Sequence, residues 1–165
     1  MSGHAGRSKS YKDGALDIAG AFQQAKVKGP YANCAVYLRA TLEVPAATDA
    51  RMEFGSDDGI KAWINGKEVL SNAAARALAP GQDKVNVRLE KGVNTLLVKI
   101  TQGGGDWSAY ARIRAADGTA LPDLKIGLPQ YTAASQCAGT RPTIRRLPDD
   151  RSATTFATFS TASSN

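Results

Sequence analysis

Two short segments carry the residue types from which a binding site could be built. Asp57 and Asp58 stand side by side between Ser56 and Gly59, and Asp106-Trp107 follows three glycines, Gly103, Gly104 and Gly105. Adjacent carboxylates repel, so the pair requires a cation, donor-rich surroundings or open solvent. A calcium ion takes several oxygen ligands, and carboxylates with turn carbonyls can supply them. A solvated turn in which an Asp side chain caps its own backbone needs no metal. The glycines before Trp107 let a loop approach a ligand closely. An exposed indole there could stack on the apolar face of a sugar ring while Asp106 takes its hydroxyls. The same ring could equally close one end of the core. Trp63 is out of phase with Ile60, Ala62 and Ile64, which makes it either a sugar platform or an edge aromatic covering neighbouring strands. Tyr37 and Tyr110 are further platform candidates on the polar faces of their strands.

Catalytic arrangements are sparse. The single histidine, His4, falls in a polar leading segment, so a Ser-His-Asp or Cys-His centre has no base in the folded part. The run Gln102 to Trp107 lacks the Lys-Ser/Thr of a phosphate loop. Asp58 with Asp106 is the one pairing that could oppose two carboxylates across a glycosidic bond. No catalytic residue is assigned. The two cysteines, Cys34 and Cys137, form no CxxC or Cys/His cluster of the kind that holds zinc, and their spacing does not show whether they pair.

The formal charge of +6 invites a nucleic-acid partner, but its distribution argues against one. From Cys34 to Gly118 the basic and acidic residues number 11 and 10, so the surplus lies in the two ends. No apolar stretch approaches membrane-spanning length. The opening residues lack the apolar run of a secretory signal.

The elements that must position these residues read as strands. Val36, Leu38, Ala40, Leu42 and Val44 alternate with Tyr37, Arg39, Thr41 and Glu43, a period of two. Ala50, Met52 and Phe54 continue the pattern, as do Val85, Val87 and Leu89, then Leu96, Val98 and Ile100, then Ala109, Ala111 and Ile113. Asn65-Gly66 between two apolar runs is the strongest short hairpin signal, since both residues accept positive φ. Residues 17–26 fit a short helix or a strand followed by a turn. The expected fold class is all-β, an antiparallel β-sandwich or jelly roll with flexible N- and C-terminal extensions. Its divisions are a lead over residues 1–12, a sandwich over 13–124, and a Ser/Thr/Ala/Pro-rich tail or strap over 125–165.

The run Phe54 to Val69, with its Asp-Asp-Gly turn and Trp-Ile-Asn-Gly-Lys re-entry, resembles the hairpin of galactose-binding-like jelly rolls. The later Val87 to Trp107, with Leu89, Gly92, Asn94, Leu96 and Val98, is similar to the strand pair that follows in those domains. Lectin domains of the protective-antigen type and the sugar-binding jelly rolls appended to glycoside hydrolases share the pattern. The resemblance implies a non-catalytic carbohydrate-binding module of a larger secreted or cell-surface protein, monomeric in isolation, with a polysaccharide or glycan as partner. It also implies that Asp57 and Asp58 hold calcium beside a second loop. That loop carries Asp106-Trp107 here, where the lectins have Asn. The expected site is therefore the loop end built by residues 56–59 and 102–107, with Trp63 and Tyr110 as further ligand-binding candidates on their strands. A structural or protein-interaction sandwich and a polysaccharide-active hydrolase or lyase are the alternatives.

Overall fold

The computed structural model describes residues 15–127 and the backbone of Phe159–Ser160. The expected lead over residues 1–12 and most of the expected tail lie outside the described residues.

The chain forms β1 (Ala15–Asp17), α1 (Ile18–Gln24), β2 (Cys34–Val44), β3 (Thr48–Asp57), β4 (Ile60–Ile64), β5 (Lys67–Asn72), β6 (Asp83–Leu89), β7 (Gly92–Gln102), β8 (Ser108–Ala115), β9 (Lys125–Gly127) and β10 (Phe159–Ser160). A four-stranded sheet runs β1-β8-β3-β6. A six-stranded sheet runs β10-β2-β7-β4-β5, with β9 also paired to β2. Every pairing is antiparallel. The all-β sandwich is thus the observed architecture, and its six-stranded sheet continues past residue 124 through β9.

The alternation in sequence becomes the two faces of each strand. Val36, Leu38, Ala40, Leu42 and Val44 are buried, as are Leu96, Val98 and Ile100 opposite them and Met52 and Phe54 in the other sheet. Burying these side chains between two sheets supplies the hydrophobic drive for the sandwich. Asn65 and Gly66 take φ of 50° and 81°, closing the hairpin between β4 and β5 as expected.

Residues 17–26 resolve into the end of a strand and a short helix. Asp17 accepts the backbone N–H of Gly20 at 2.8 Å and so caps α1. Ile18 and Phe22, one turn apart on one face, are both buried, and α1 closes one end of the sandwich.

Asn94 faces inward on β7 among apolar residues and is fully buried. Its amide nitrogen donates to the carbonyls of Glu90 at 2.8 Å, Gly92 at 3.2 Å and Leu42 at 3.3 Å. Its oxygen accepts from the Glu90 N–H and from the Asn65 side chain. Asn65 in turn exchanges bonds with the backbone of Thr95 at 2.8 and 2.9 Å. The two turns at this end of the molecule are therefore tied to one buried amide, and every polar atom of that amide is used.

Candidate functional site

The two loops expected to form a site do meet. The Asp58 N–H donates to the Thr101 carbonyl and the Thr101 N–H to the Gly59 carbonyl, both at 2.9 Å. Asp58 then uses both carboxylate oxygens on backbone donors. One accepts the Gly103 N–H at 2.8 Å and the other the Arg76 N–H at 3.1 Å. Asp58 therefore clips three segments together: its own turn, the start of the glycine loop, and the long connection between β5 and β6.

That connection is held by a second cluster. The Arg76 guanidinium pairs with Asp83 and donates to the Ser56 hydroxyl at 2.9 Å, and Asn72 donates to Asp83 at 3.0 Å. The Ser56 hydroxyl in turn donates to the Asp58 carbonyl at 2.5 Å. Burial pushes the Asp83 carboxyl up, but the hydrogen bonds from Arg76 and Asn72 and the guanidinium charge outweigh it, so its pKa lies below the ordinary value. Gly55 admits this connection because it has no side chain: a Cβ there would stand 2.4 Å from the Ala79 carbonyl oxygen. Neither Arg76 nor Asp83 was expected in this role. Arg76 sits in an Ala-rich stretch without period, and only the fold reveals what it reaches.

Of the two readings of Trp107, the packed one matches its surroundings, and Tyr110 is withdrawn as well. Trp107 is 2% exposed and stacks on Phe22 at a centroid distance of 5.4 Å, with Tyr31 beyond at 5.5 Å from Phe22. Its carbonyl accepts the N–H groups of Ile18 and Ala19. The indole thus closes the core beneath α1 and offers no face to a sugar. Tyr110 is 6% exposed, fixed in the sheet between Ala15 and Gly55 with Arg112 6.0 Å from its ring, so it too presents no platform.

The calcium expectation finds only part of its ligand set. Asp57 and Asp58 are neighbours at the end of β3, while among the described residues no group of three or more His, Cys, Asp or Glu side chains converges. Asp106 is exposed on the glycine loop and does not join them. With the Asp58 carboxylate accepting the Gly103 and Arg76 N–H groups, a calcium ion here would draw most of its six to eight oxygens from backbone carbonyls and water.

Trp63 stands elsewhere, on the outer face of the six-stranded sheet, and is only half-buried. The register places Arg39, Leu97, Trp63 and Glu68 in one row across β2, β7, β4 and β5. Tyr37, Lys99 and Lys61 form the next row. A bulge opposite Ala62 and Trp63 adds local twist to the hairpin just there. Arg39, Trp63, Gly66, Thr95 and Leu97 line an open hollow of about 470 Å³. Lys99 Nζ lies 5.8 Å from the centre of the Tyr37 ring. An indole beside Leu97, with Arg39 and Thr95 lining the hollow and Glu68 across from it in register, offers an apolar surface with polar groups at its margin. That combination can hold a ring with one apolar face and several hydroxyls.

No protein-family model matches the chain, and neither a curated protein nor a solved structure matches it. Among the described residues, no helix is long and apolar enough to cross a membrane.

Proposed function

We propose that the protein is a non-catalytic carbohydrate-binding module of the galactose-binding-like kind. It binds its glycan across the outer face of the six-stranded sheet and not at the loop end. The observation that carries this reading is the placement of Trp63, half-buried in an open hollow with Arg39, Thr95 and Leu97 around it. The contrast with Trp107 supports it, since a ring packed on Phe22 beneath α1 cannot stack on a ligand. In a larger secreted or cell-surface protein, such a module would hold its neighbours near polysaccharide and raise their local concentration.

Affinity electrophoresis through gels containing neutral and acidic polysaccharides tests the reading. The wild-type protein is retarded by at least one glycan. Trp63→Ala loses an aromatic contact worth about 0.5–1.5 kcal/mol beyond buried area, which weakens binding roughly two- to ten-fold. Unimpaired retardation of Trp63→Ala, or no retardation of the wild type by any glycan, would refute the reading.

A further inference from the structure

Arg51 on β3 and Arg114 on β8 are direct cross-strand partners. Ala50 and Met52, on either side of Arg51, are fully buried, and Ile113 beside Arg114 packs against the core. Both arginines therefore stand on the outer face of the four-stranded sheet. Like charges placed opposite each other are unfavourable in a sheet.

The carboxylates nearest to them on that face are already engaged. Glu53, two positions along β3, pairs with Arg112 across from it, and the charges of Lys84 and Arg114 reach it as well. Asp49, two positions the other way, pairs with Arg88 at 3.1 Å. Asp117, in the turn after β8, lies close enough to Arg51 to feel its charge. Its Oδ1 accepts the backbone N–H and the hydroxyl of Thr119, at 2.8 and 2.7 Å. Among the described residues, neither Arg51 nor Arg114 joins a carboxylate in an ion pair. This face and its turn set five cations against three carboxylates.

The two unmatched guanidiniums converge on one residue. Arg114 Nη1 donates to the Gly118 carbonyl at 2.9 Å, and a Cβ on Gly118 would stand 2.8 Å from Arg51 Nη2. Gly118 takes a φ of 89°. Its N–H donates to the Ala115 carbonyl at 2.8 Å, and the Ala115 N–H donates to the Thr119 carbonyl at 2.9 Å, so the turn is held in place beside both arginines. Arg51 Nε is enclosed with no acceptor among the described residues, so no hydrogen bond there anchors its fork.

We propose that Arg51 and Arg114 bind a tetrahedral oxyanion of the phosphate type at the Gly118 turn. The site lies on the opposite sheet from Trp63 and does not depend on the glycan-binding reading. A carboxylate has two oxygens and fills one guanidinium fork. Two forks that meet at one residue call for the three or more oxygens of a phosphate group, and its charge of about −2 answers the surplus around them.

The test is an NMR titration of the full chain that follows the arginine Nε–H signals and the Gly118 amide. Inorganic phosphate near neutral pH should give saturable shifts at Arg51, Arg114 and Gly118, and acetate or chloride at equal ionic strength should not. Arg51→Gln and Arg114→Gln should each weaken phosphate binding roughly ten-fold, the loss expected for a hydrogen bond to a charged group. Arg51→Lys keeps the charge without the fork and should fall between the wild type and Arg51→Gln. Arg88→Gln, on the same face but paired with Asp49, should leave binding unchanged. Melting temperatures check that each variant is folded, and if a glutamine variant is not, Arg51→Lys carries the test. Glucose 6-phosphate separates the two sources of the group. Binding as tight as that of inorganic phosphate assigns the site to phosphate monoesters, and weaker binding assigns it to the free ion. Shifts that rise without saturating, that acetate reproduces, or that Arg88→Gln weakens as much as Arg51→Gln would overturn the proposal.

Discussion

At the loop end, Asp58, Arg76, Asp83 and Ser56 exchange bonds in a closed set, and Trp107 lies stacked under a helix. On the outer face of the six-stranded sheet, Trp63 lines an open hollow, and its cationic neighbours oppose one another across strands. Both regions hold a tryptophan, carboxylates and cations. In the first, the polar groups face one another and the ring faces inward. In the second, they face solvent, with Lys61 set opposite Lys99 and in contact with Glu68. Groups that complete one another hold a fold together, and groups turned to solvent contribute less to it. The composition of a region therefore says less about its role than the direction in which its groups point.

The largest effect expected from this contrast is at Trp107. Replacing it with Ala removes the ring stacked on Phe22 and opens a cavity beneath α1, at a cost of roughly 3–5 kcal/mol. Trp63→Ala should cost under about 1 kcal/mol, since its ring is only partly withdrawn from water. Urea denaturation of the two variants measures the difference, and equal losses would erase the distinction between the regions.

Next in size is Asp58. Asp58→Ala leaves the partly buried Arg76 N–H and the exposed Gly103 N–H without their acceptor; water can replace the second, so the cost is about 1 kcal/mol. Hydrogen exchange should show those two amides losing protection while the amides of β2 and β7 keep theirs. Unchanged protection at Gly103 would mean that the carboxylate does not hold the loops.

Acid acts on Asp83 in the same cluster and on Glu53, which pairs with Arg112 in the four-stranded sheet. The folded-state pKa values of Asp83 and Glu53 are both depressed. For Asp83, burial raises the pKa, but the Arg76 and Asn72 bonds outweigh it; for Glu53, the Arg112 bond leads. A depressed carboxyl contributes stability that is present above its unfolded pKa and is lost as pH falls through the folded one. Stability should therefore decline below about pH 4, near the ordinary carboxyl values. Arg76→Met should make that decline shallower, as followed by the denaturation midpoint between pH 5 and 2. A slope identical to that of the wild type would show that Asp83 does not depend on Arg76.

The strand alternation was legible in the sequence because one face of each sheet meets the core, and period two survives any rearrangement of partners. The Asn65-Gly66 turn was legible for a local reason, its two positive φ angles. Which way Trp107 faces was not, because that depends on α1 arriving from residues 18–24 to cover it. The glycines before it suited an exposed ring as well as a buried one. Asn94 escaped notice because an Asn within an apolar strand gives no sign of the two turns it ties together. Lys61 and Lys99 are unremarkable until the register sets them opposite each other, and no spacing along the chain reports a register between β4 and β7.

The smallest expected effect is that of calcium on stability. A ligand that binds only the native state stabilises it by mass action, about 2.7 kcal/mol at a hundred times its dissociation constant. In a domain of this size that corresponds to a shift of several degrees or more in melting temperature. The Asp57-Asp58 turn offers two carboxylates, and Asp58 already accepts the N–H groups of Gly103 and Arg76. With no third acidic side chain converging among the described residues, millimolar calcium added to chelator-stripped protein should move the melting temperature by less than about 1 °C. Asp57→Asn should leave that response as it is. A rise of several degrees that Asp57→Asn abolishes would return the ligand site to the loop end, with backbone carbonyls and water completing the shell. The sheet face would then have to be tested as a second surface, and the contrast between the two regions would no longer separate structure from binding.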